Sequence, residues 1–303
     1  MSAISGTTKG IFFAVVAYFM WGVLPLYWNL LEAIDPFHLL GIRILLSLLV
    51  LGTILTINKN FTWITVFKDL RQVRMIIPAS FVLCANWGLY LWAISQGRVI
   101  EASLGYYINP LISVVLGLIF FKEKLTRLQW TAFGFACTGV LLLTALAGAL
   151  PWISVLLAFC FGFYGLLKKR LKLSSLESLT AETLAAAPLG IFLLVVNVDT
   201  VAGLHLTFDL QSIFYITGLG VGVLILLAFS GALTSLPLYC FGNSAKLLPL
   251  SMLGFLQFIA PTAQFLLGIF FFGEFFPAHF YTAFAFIWLA AILHIISLAK
   301  RPH

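Results

Sequence analysis

Residues 106–135 read YYINPLISVVLGLIFFKEKLTRLQWTAFGF, and residues 257–286 read QFIAPTAQFLLGIFFFGEFFPAHFYTAFAF. The two stretches lie 151 residues apart, align without a gap and are identical at 11 of 30 positions. Apolar bias alone does not explain the shared polar and helix-breaking residues, which are Pro110/Pro261, Gly117/Gly268, Glu123/Glu274 and Thr131/Thr282. The chain is therefore predicted to contain an internal repeat.

The basic residues differ between the two copies. Lys122, Lys124 and Arg127 follow the apolar run of the first copy, and uncharged residues take their places in the second. Because cytoplasmic loops of membrane proteins are enriched in Lys and Arg, this difference predicts that the copies enter a membrane in opposite orientations. An inverted repeat is typical of secondary transporters, which bind substrate where the repeats meet.

The composition places the chain in a lipid bilayer. Hydrophobic residues make up 62% of the chain and charged residues 9%, against roughly 25% charged residues in soluble domains. The apolar residues form runs of about 20, the length that spans the hydrocarbon core. The net charge of +7 is spread over the gaps between these runs, so we predict no nucleic-acid partner. The first run, Gly10 to Leu31, is too long for a signal peptide and is expected to remain as a helix.

We predict an all-α integral membrane protein with ten transmembrane helices, arranged as two inverted five-helix repeats. The predicted helices lie at residues 10–31, 36–58, 75–96, 99–121, 128–147, 150–167, 179–198, 218–245, 249–272 and 277–298. Residues 1–148 form the first repeat and residues 149–303 the second, within a single bundle. The stretch 199–221 is long and irregular, so the start of the eighth helix is not defined by the pattern.

The distribution of Lys and Arg predicts the orientation of the chain. In the gaps predicted to face outside, Arg98 is the one basic residue. The two tails and the remaining gaps hold 15, which are Lys9, Lys59, Lys68, Arg71, Arg74, Lys122, Lys124, Arg127, Lys168, Lys169, Arg170, Lys172, Lys246, Lys300 and Arg301. Both termini are therefore predicted to face the cytoplasm.

Pro110 and Pro261 are predicted to interrupt the fourth and ninth helices near mid-membrane. Pro110 lies about 11 residues into its helix, so ~17 Å deep. Each proline removes one backbone hydrogen bond and frees a carbonyl, that of Tyr106 or of Gln257. Matched breaks at mid-depth are expected at a transporter's binding site, so we predict a substrate site near these residues and Asn109. Proline kinks also occur in membrane helices merely to shape the bundle.

Arg43 is the most conspicuous charge inside a predicted helix. It lies ~10 Å from the outer start of the second helix, and a charge at a helix centre costs roughly 2.5–3.5 kcal/mol unless a partner or water compensates it. Glu101, at the outer start of the fourth helix, lies at a compatible height. We predict that the two residues pair, or that both face the substrate path. The alternative is that each anchors its helix at the outer interface.

Polar and aromatic residues of other helices complete the predicted path. Asn86, beside Trp87 near mid-depth of the third helix, either hydrogen-bonds a neighbouring helix or contacts substrate. Trp21 of the first helix and Tyr164 of the sixth each precede a glycine and form a matched pair across the repeats. These aromatic residues fit interfacial belts and packing as well as a site. Glu182, near the cytoplasmic end of the seventh helix, is predicted to be an interfacial carboxylate.

The sequence lacks motifs for catalysis or cofactor binding. It has no HExxH, GxSxG, phosphate-loop or CxxC pattern, so we predict neither an enzyme nor a cofactor or metal site. The four cysteines lie inside apolar runs and are interpreted as small buried residues.

Several strings make the chain resemble a known family over nearly its whole length. They are AYFMWG at 17–22, ANW at 85–87, EASLGYYINPL at 101–111, LAFCFGFYG at 157–165, LPLYCF at 236–241, LGFLQFIAPT at 253–262 and FAFIW at 284–288, with Arg43 and Glu182–Thr183. On these residues the chain resembles the drug/metabolite transporter superfamily, specifically the EamA-type permeases of the RarD (chloramphenicol-sensitive protein) group. The resemblance implies a ten-helix bundle in a bacterial inner membrane, with a cavity lined mainly by helices 1, 3, 4, 6, 8 and 9. It also implies an exporter of amino acids, metabolites or drugs.

The leading hypothesis is a secondary transporter that exports small molecules by alternating access around a midplane site. The alternatives are a passive channel or facilitator, a non-transporting receptor or scaffold, and a membrane-embedded enzyme acting on lipid-linked substrates. The predicted partners are a small-molecule substrate and the lipid bilayer. The sequence defines neither the substrate, the direction of transport and the coupling ion, nor the oligomeric state.

Overall fold

The computed structural model describes residues 6–147, 152–199, 205–208, 218–273 and 278–299. Several predicted features lie outside the described residues. They are the boundary between the repeats at 148 and 149, the helix starts at 150 and 277, Glu274, Lys300 and Arg301. The described part is almost entirely helical.

The helices agree with the predicted spans to within a few residues at most ends. They are α1 (Gly6–Asn29), α2 (Pro36–Ile57), α3 (Thr62–Thr65), α4 (Leu70–Ser95), α5 (Val99–Phe120), α6 (Arg127–Ala147), α7 (Trp152–Arg170), α8 (Ser175–Val195), α9 (Val221–Leu247), α10 (Leu250–Leu256), α11 (Ile259–Phe270) and α12 (Ala278–Ala299). Within the described ranges, nine segments are long and apolar enough to cross a membrane, counting α10 and α11 as one. The protein is an all-α membrane protein, and one short hairpin interrupts the helices in the described ranges.

Local sequence signals explain where several helices begin. Asp35 caps α2, since its carboxylate accepts hydrogen bonds from the amides of Phe37 at 2.9 Å and His38 at 3.0 Å. Pro36 follows at the first helical position, which has no need of an amide donor. A capping box starts α8, because Ser174 and the glutamate three residues later each bond the other's backbone amide.

The structure differs from the prediction at three places. The predicted seventh helix stops at Val195, and Val196–Asp199 pairs instead with His205–Phe208 as an antiparallel hairpin of β1 and β2. The polar gap after α2 contains the short α3, and α4 starts five residues earlier than the predicted residue 75. The predicted ninth helix is divided into α10 and α11.

The long helices pack in a set of defined pairs. α2 packs against α8 and α9, α4 against α7 and α8, and α1 against α9 and α11. α5 packs against α7 and α10, and α6 pairs with α12. The α6–α12 contact is close because Gly139 has no side chain: a β-carbon there would lie 2.9 Å from the Ala283 carbonyl oxygen. This packing leaves a space between α1, α2, α4, α5, α7, α9 and α11.

Candidate functional site

A cavity of about 600 Å³ fills the space between these seven helices. Its rim includes Asn29, Glu32 and Pro36, which are exposed, whereas Tyr18 and Gln257 at its other end are buried. The cavity therefore opens where α1 ends and α2 begins, which we call the open end of the bundle. The opposite end is called the sealed end. All six helices that the family resemblance implies as walls contribute to the lining, and α2 joins them.

Most of the residues predicted for the substrate path line this one cavity. They are Trp21, Arg43, Asn86, Trp87, Tyr106, Asn109, Gln257 and Pro261. Glu101, Pro110 and Tyr164, which were also predicted, are not among its lining residues. The structure thus brings together residues from both halves of the chain.

Helical spacing explains which side chains reach the cavity. On α5 the lining residues are Ala102, Gly105, Tyr106 and Asn109, a spacing of three and four that puts them on one face of a helix. The ring of Tyr106 meets that of Tyr90 on α4, with centroids 5.7 Å apart. Tyr106 and Asn109, both predicted for the substrate site, line the cavity from this face of α5, whereas Pro110 is not among the lining residues.

Among the lining residues that were not predicted are Trp28, Tyr90, Thr234 and Gln264, and for the first two the sequence carries a signal. Trp28 lies seven residues after Trp21, and Tyr90 lies four after Asn86, so each shares a helix face with a predicted residue. Thr234 and Gln264 have no comparable signal, because their presence depends on how α9 and α11 pack. Gln264 links α11 to α1, because its Nε2 donates a hydrogen bond to the Trp21 carbonyl oxygen at 3.1 Å.

Arg43 projects into the cavity from α2 and contacts residues of three other helices, α1, α4 and α9. Its Nε donates to Thr234 Oγ1 of α9 at 2.9 Å. The guanidinium carbon lies 4.1 Å from the ring centroid of Trp28 and 5.7 Å from that of Trp87, within the range of cation–π interactions. The side chain is half-buried, and its guanidinium is fixed between two aromatic faces.

The predicted ion pair between Arg43 and Glu101 is wrong. Glu101 is buried near the start of α5 and accepts a hydrogen bond from Arg98 Nε at 2.8 Å. Its own carbonyl oxygen accepts from Ser154 Oγ of α7 at 2.5 Å. The physical reason is local: Arg98 lies three residues before Glu101, one helical turn away, while Arg43 meets α9 instead.

The two asparagines of the predicted site differ in their contacts. Asn86 donates from Nδ2 to the Leu157 carbonyl oxygen at 2.9 Å and so links α4 to α7. A hydrogen bond to a neighbouring helix was one of the two roles predicted for this residue. It also lines the cavity. Asn109 is 8% exposed, and its Oδ1 has no hydrogen-bond partner among the residues that the structure describes.

The two prolines act differently from the predicted matched breaks. The chain is interrupted between α10 and α11, where the amides of Gln257 and Ala260 bond carbonyls three residues earlier. In contrast, α5 runs through Pro110 without interruption, because the loss of one hydrogen bond does not by itself end a helix. The two proline helices do meet: Tyr107 donates from its hydroxyl to the Pro261 carbonyl oxygen at 3.1 Å.

Aromatic side chains close the sealed end of the cavity. Phe241 of α9 lies at their centre, with ring centroids 5.1 Å from Phe161, 5.8 Å from Trp21 and 5.8 Å from Tyr164. Tyr18 packs on the same ring at 6.3 Å. We call these five residues the aromatic plug. Tyr164, predicted to line the substrate path, instead lies within the plug and is fully buried.

A buried ion pair lies beyond the plug, and the sequence analysis missed it. Lys168 and Glu182 are 0% and 2% exposed, and Lys168 Nζ lies 2.9 Å from Glu182 Oε1. Lys168 also donates to Ser178 Oγ at 2.7 Å, and the Tyr164 hydroxyl donates to Glu182 Oε2 at 3.0 Å. Glu182 is therefore a buried carboxylate, not an interfacial one, and Lys168 belongs to α7, not to a loop. The sequence analysis missed this pair because it ended the sixth predicted helix at residue 167, one residue before Lys168.

Comparison with known proteins gives consistent matches over most of the chain. The EamA-like transporter family matches residues 8–145. Protein RarD of Streptomyces exfoliatus is 38% identical over 294 residues, covering 97% of this chain and 90% of its own. The uncharacterized transporter YojE of Bacillus subtilis (strain 168) is 38% identical over 301 residues, covering 97% and 96%. Protein RarD of Escherichia coli (strain K12) is 34% identical over 291 residues, covering 96% and 95%.

A solved crystal structure shares the fold. It superposes with a TM-score of 0.70 over 99% of this chain and 100% of its own, at 19% sequence identity. The relatives extend over nearly the whole bundle that surrounds the cavity, and YojE carries the name of a transporter. This chain belongs to the EamA-like transporter family, in the RarD group of the drug/metabolite transporter superfamily, and it is a multi-pass transporter of a bacterial membrane, not an enzyme.

Proposed function

We propose that this protein is a secondary transporter that binds a small molecule in the central cavity and works by alternating access. The observation that carries the proposal is the asymmetry of the cavity, which is open at one end and closed by the aromatic plug at the other. A cavity of about 600 Å³ is large enough for a drug-sized molecule. In the opposite state the open end would close and the plug would part.

We propose that ten helices cross the membrane, with α12 as the tenth, as two inverted repeats of residues 1–148 and 149–303. The packing pairs support a two-fold relation that exchanges α1 with α7, α2 with α8, α4 with α9, α5 with α10–α11, and α6 with α12. Under this exchange the pair α4–α7 becomes α9–α1, and α5–α7 becomes α11–α1. All four of these helix pairs are in contact, as a two-fold relation requires. Rocking of one repeat against the other would then move both ends of the cavity.

The sealed end is proposed to face the cytoplasm of a bacterial inner membrane. Basic residues gather there, since α7 ends in Lys168, Lys169 and Arg170 and Lys246 ends α9. The positive-inside rule then gives both termini a cytoplasmic position. The described conformation would be outward-open, the state from which an exporter releases its substrate. Export of metabolites, amino acids or drugs is the direction we propose, in agreement with the family resemblance.

Substrate counterflow tests the proposal. An untargeted metabolite comparison between cells with and without the protein would identify candidate substrates. In proteoliposomes, uptake of the labelled candidate should saturate and should accelerate when unlabelled substrate is present on the opposite side. Gln257→Ala, in the cavity, should reduce this flux, while Phe12→Ala, 64% exposed on α1, should leave it intact. Flux that ignores substrate on the opposite side would indicate a channel, and binding without flux would indicate a receptor.

A labelling experiment tests the inverted repeat separately. In a cysteine-free background, Lys124→Cys and Phe271→Cys place a thiol at two exposed positions that follow corresponding helices of the two repeats. A membrane-impermeant maleimide added to intact cells should label Phe271→Cys and spare Lys124→Cys. Labelling of both positions from one side would refute the inverted arrangement.

A further inference from the structure

We propose that the transported molecule is a small organic monoanion with one carboxylate, an apolar or aromatic body, and at least one N–H or O–H donor. The inference rests on the proposed function, because it assumes that the central cavity holds the transported molecule. Three features of the lining carry it: the charge of Arg43, the free acceptor of Asn109 and the aromatic walls.

Arg43 brings a positive charge into the cavity, and no carboxylate in the described part of the chain forms an ion pair with it. Among the described residues, the carboxylates that form ion pairs are those of Asp35, Glu101 and Glu182, and none of them pairs with Arg43. Where the structure describes the lining, its single acidic side chain is that of Glu32, which is exposed at the rim. The hydrogen bond to Thr234 occupies Nε. The two Nη groups therefore remain available to the two oxygens of a carboxylate.

A purely structural role does not explain why this residue is charged. Methionine would fill the space between Trp28 and Trp87 without the cost of placing a cation within the membrane. The contacts with the two rings and the hydrogen bond to Thr234 together hold the guanidinium in place. A guanidinium held in this way is preorganised to bind an anion.

Asn109 supplies the second feature, an acceptor that requires a donor. Its side chain is more than nine-tenths buried, lines the cavity, and carries an Oδ1 atom that has no partner in the described part of the chain. A buried carbonyl oxygen without a hydrogen bond is costly. A hydroxyl or N–H group of the bound molecule would satisfy it.

The remaining walls select for an apolar body and for a single negative charge. Trp21, Trp28, Trp87, Tyr90 and Tyr106 present aromatic surface to the cavity. Apart from Arg43, the described lining contains no lysine and no arginine. A phosphate dianion would need further cations to leave water for this cavity. A carboxylate on an aromatic or aliphatic skeleton matches both properties.

Binding of three matched probes to the purified full-length protein tests the inference. The probes are 3-phenyllactate, its neutral amide and the cationic amino alcohol phenylalaninol, which share a phenyl ring and a hydroxyl group. Trp28 and Trp87 flank Arg43, so binding can be followed by tryptophan fluorescence in detergent. The acid should bind about tenfold or more tightly than the amide, as expected for one charge-assisted contact, and the amine should bind most weakly.

Variants of Arg43 separate the charge from the fold. Arg43→Gln should weaken binding of the acid about tenfold or more and change binding of the amide less than about twofold. Arg43→Lys, which keeps the charge but not the planar fork, should retain a reduced preference for the acid. Phe12→Ala, 64% exposed on α1 and outside the cavity lining, serves as the control. Equal affinity of wild-type protein for acid and amide, or failure of the acid to bind at millimolar concentration, would overturn the anion assignment even if Arg43→Gln does not fold.

The outcome also separates this inference from the proposed function. Arg43-dependent binding of the acid without counterflow in proteoliposomes would refute transport and leave the anion site standing. Counterflow of a neutral or cationic molecule, together with absent acid binding, would refute the substrate class and leave transport standing. Tighter binding of inorganic phosphate than of the carboxylate would likewise overturn the proposed chemistry.

Discussion

Removal of the cation from the buried ion pair at the sealed end should destabilise the protein strongly. Lys168 and Glu182 are almost completely buried, and Lys168→Met would leave the Glu182 carboxylate with the Tyr164 hydroxyl as its remaining described partner. Loss of one partner of a buried pair costs about 3–5 kcal/mol. At about 2–4 °C per kcal/mol for a chain of this size, the thermal midpoint should fall by roughly 6–20 °C.

The double variant Lys168→Met/Glu182→Gln provides the informative comparison. It removes both charges, and the amide oxygen can still accept from Tyr164. Because no buried charge is left unpaired, its loss of stability should be far smaller than the sum of the two single variants. Lys124→Met, at an exposed position, should change stability by less than about 0.5 kcal/mol.

Tryptophan fluorescence and size-exclusion chromatography after heating, in a single detergent, would measure these shifts. A midpoint for Lys168→Met within about 2 °C of the wild type would refute the reasoning, because so small a shift corresponds to at most ~1 kcal/mol. A double variant as unstable as the sum of the singles would also refute it, since the cost would then come from lost packing and not from an unpaired charge.

Two further substitutions should change the stability of the protein, one at the cap of α10 and one where α10 crosses α5. Glu123 accepts hydrogen bonds from the amides of Leu250 and Ser251, at 2.7 and 2.8 Å, and so caps α10. Glu123→Gln should therefore lower the free energy of unfolding by about 1 kcal/mol. An unchanged midpoint of thermal unfolding would contradict the capping role. A β-carbon at Gly254 would lie 2.7 Å from the carbonyl oxygen of the facing α5 proline, whereas one at Gly134 would meet nothing within 4 Å. Gly254→Ala should therefore lose about 1–3 kcal/mol, and Gly134→Ala should be neutral or stabilising by up to ~1 kcal/mol; equal effects would show that the crossing is not tight.

Features that depend on neighbours in the chain could be predicted well. The start of α2 at Pro36 follows from a capping aspartate and a proline, and both act within one turn. The apolar runs gave the transmembrane segments because every backbone group in lipid must be bonded within its own helix.

Errors arose where a residue's environment depends on another helix. Lys168 was assigned to a loop because a lysine usually ends a membrane span, and nothing near it in the sequence reveals the carboxylate of Glu182 on α8. Pro110 and Pro261 are equivalent in the repeat, yet only the helix of Pro261 is divided. Local sequence identity therefore did not ensure identical backbone geometry.

The sequence by itself determined the class of protein and the membrane segments, because hydrophobicity and capping act over at most a few turns. Only the tertiary structure decided the partners across helices, such as Arg43 with Thr234, 191 residues away, instead of Glu101. The physical reason is that helices in lipid have similar apolar surfaces, so close steric fit and interhelical hydrogen bonds choose the neighbours. That fit placed Arg43, Asn109 and aromatic rings from several helices around one cavity and closed one of its ends.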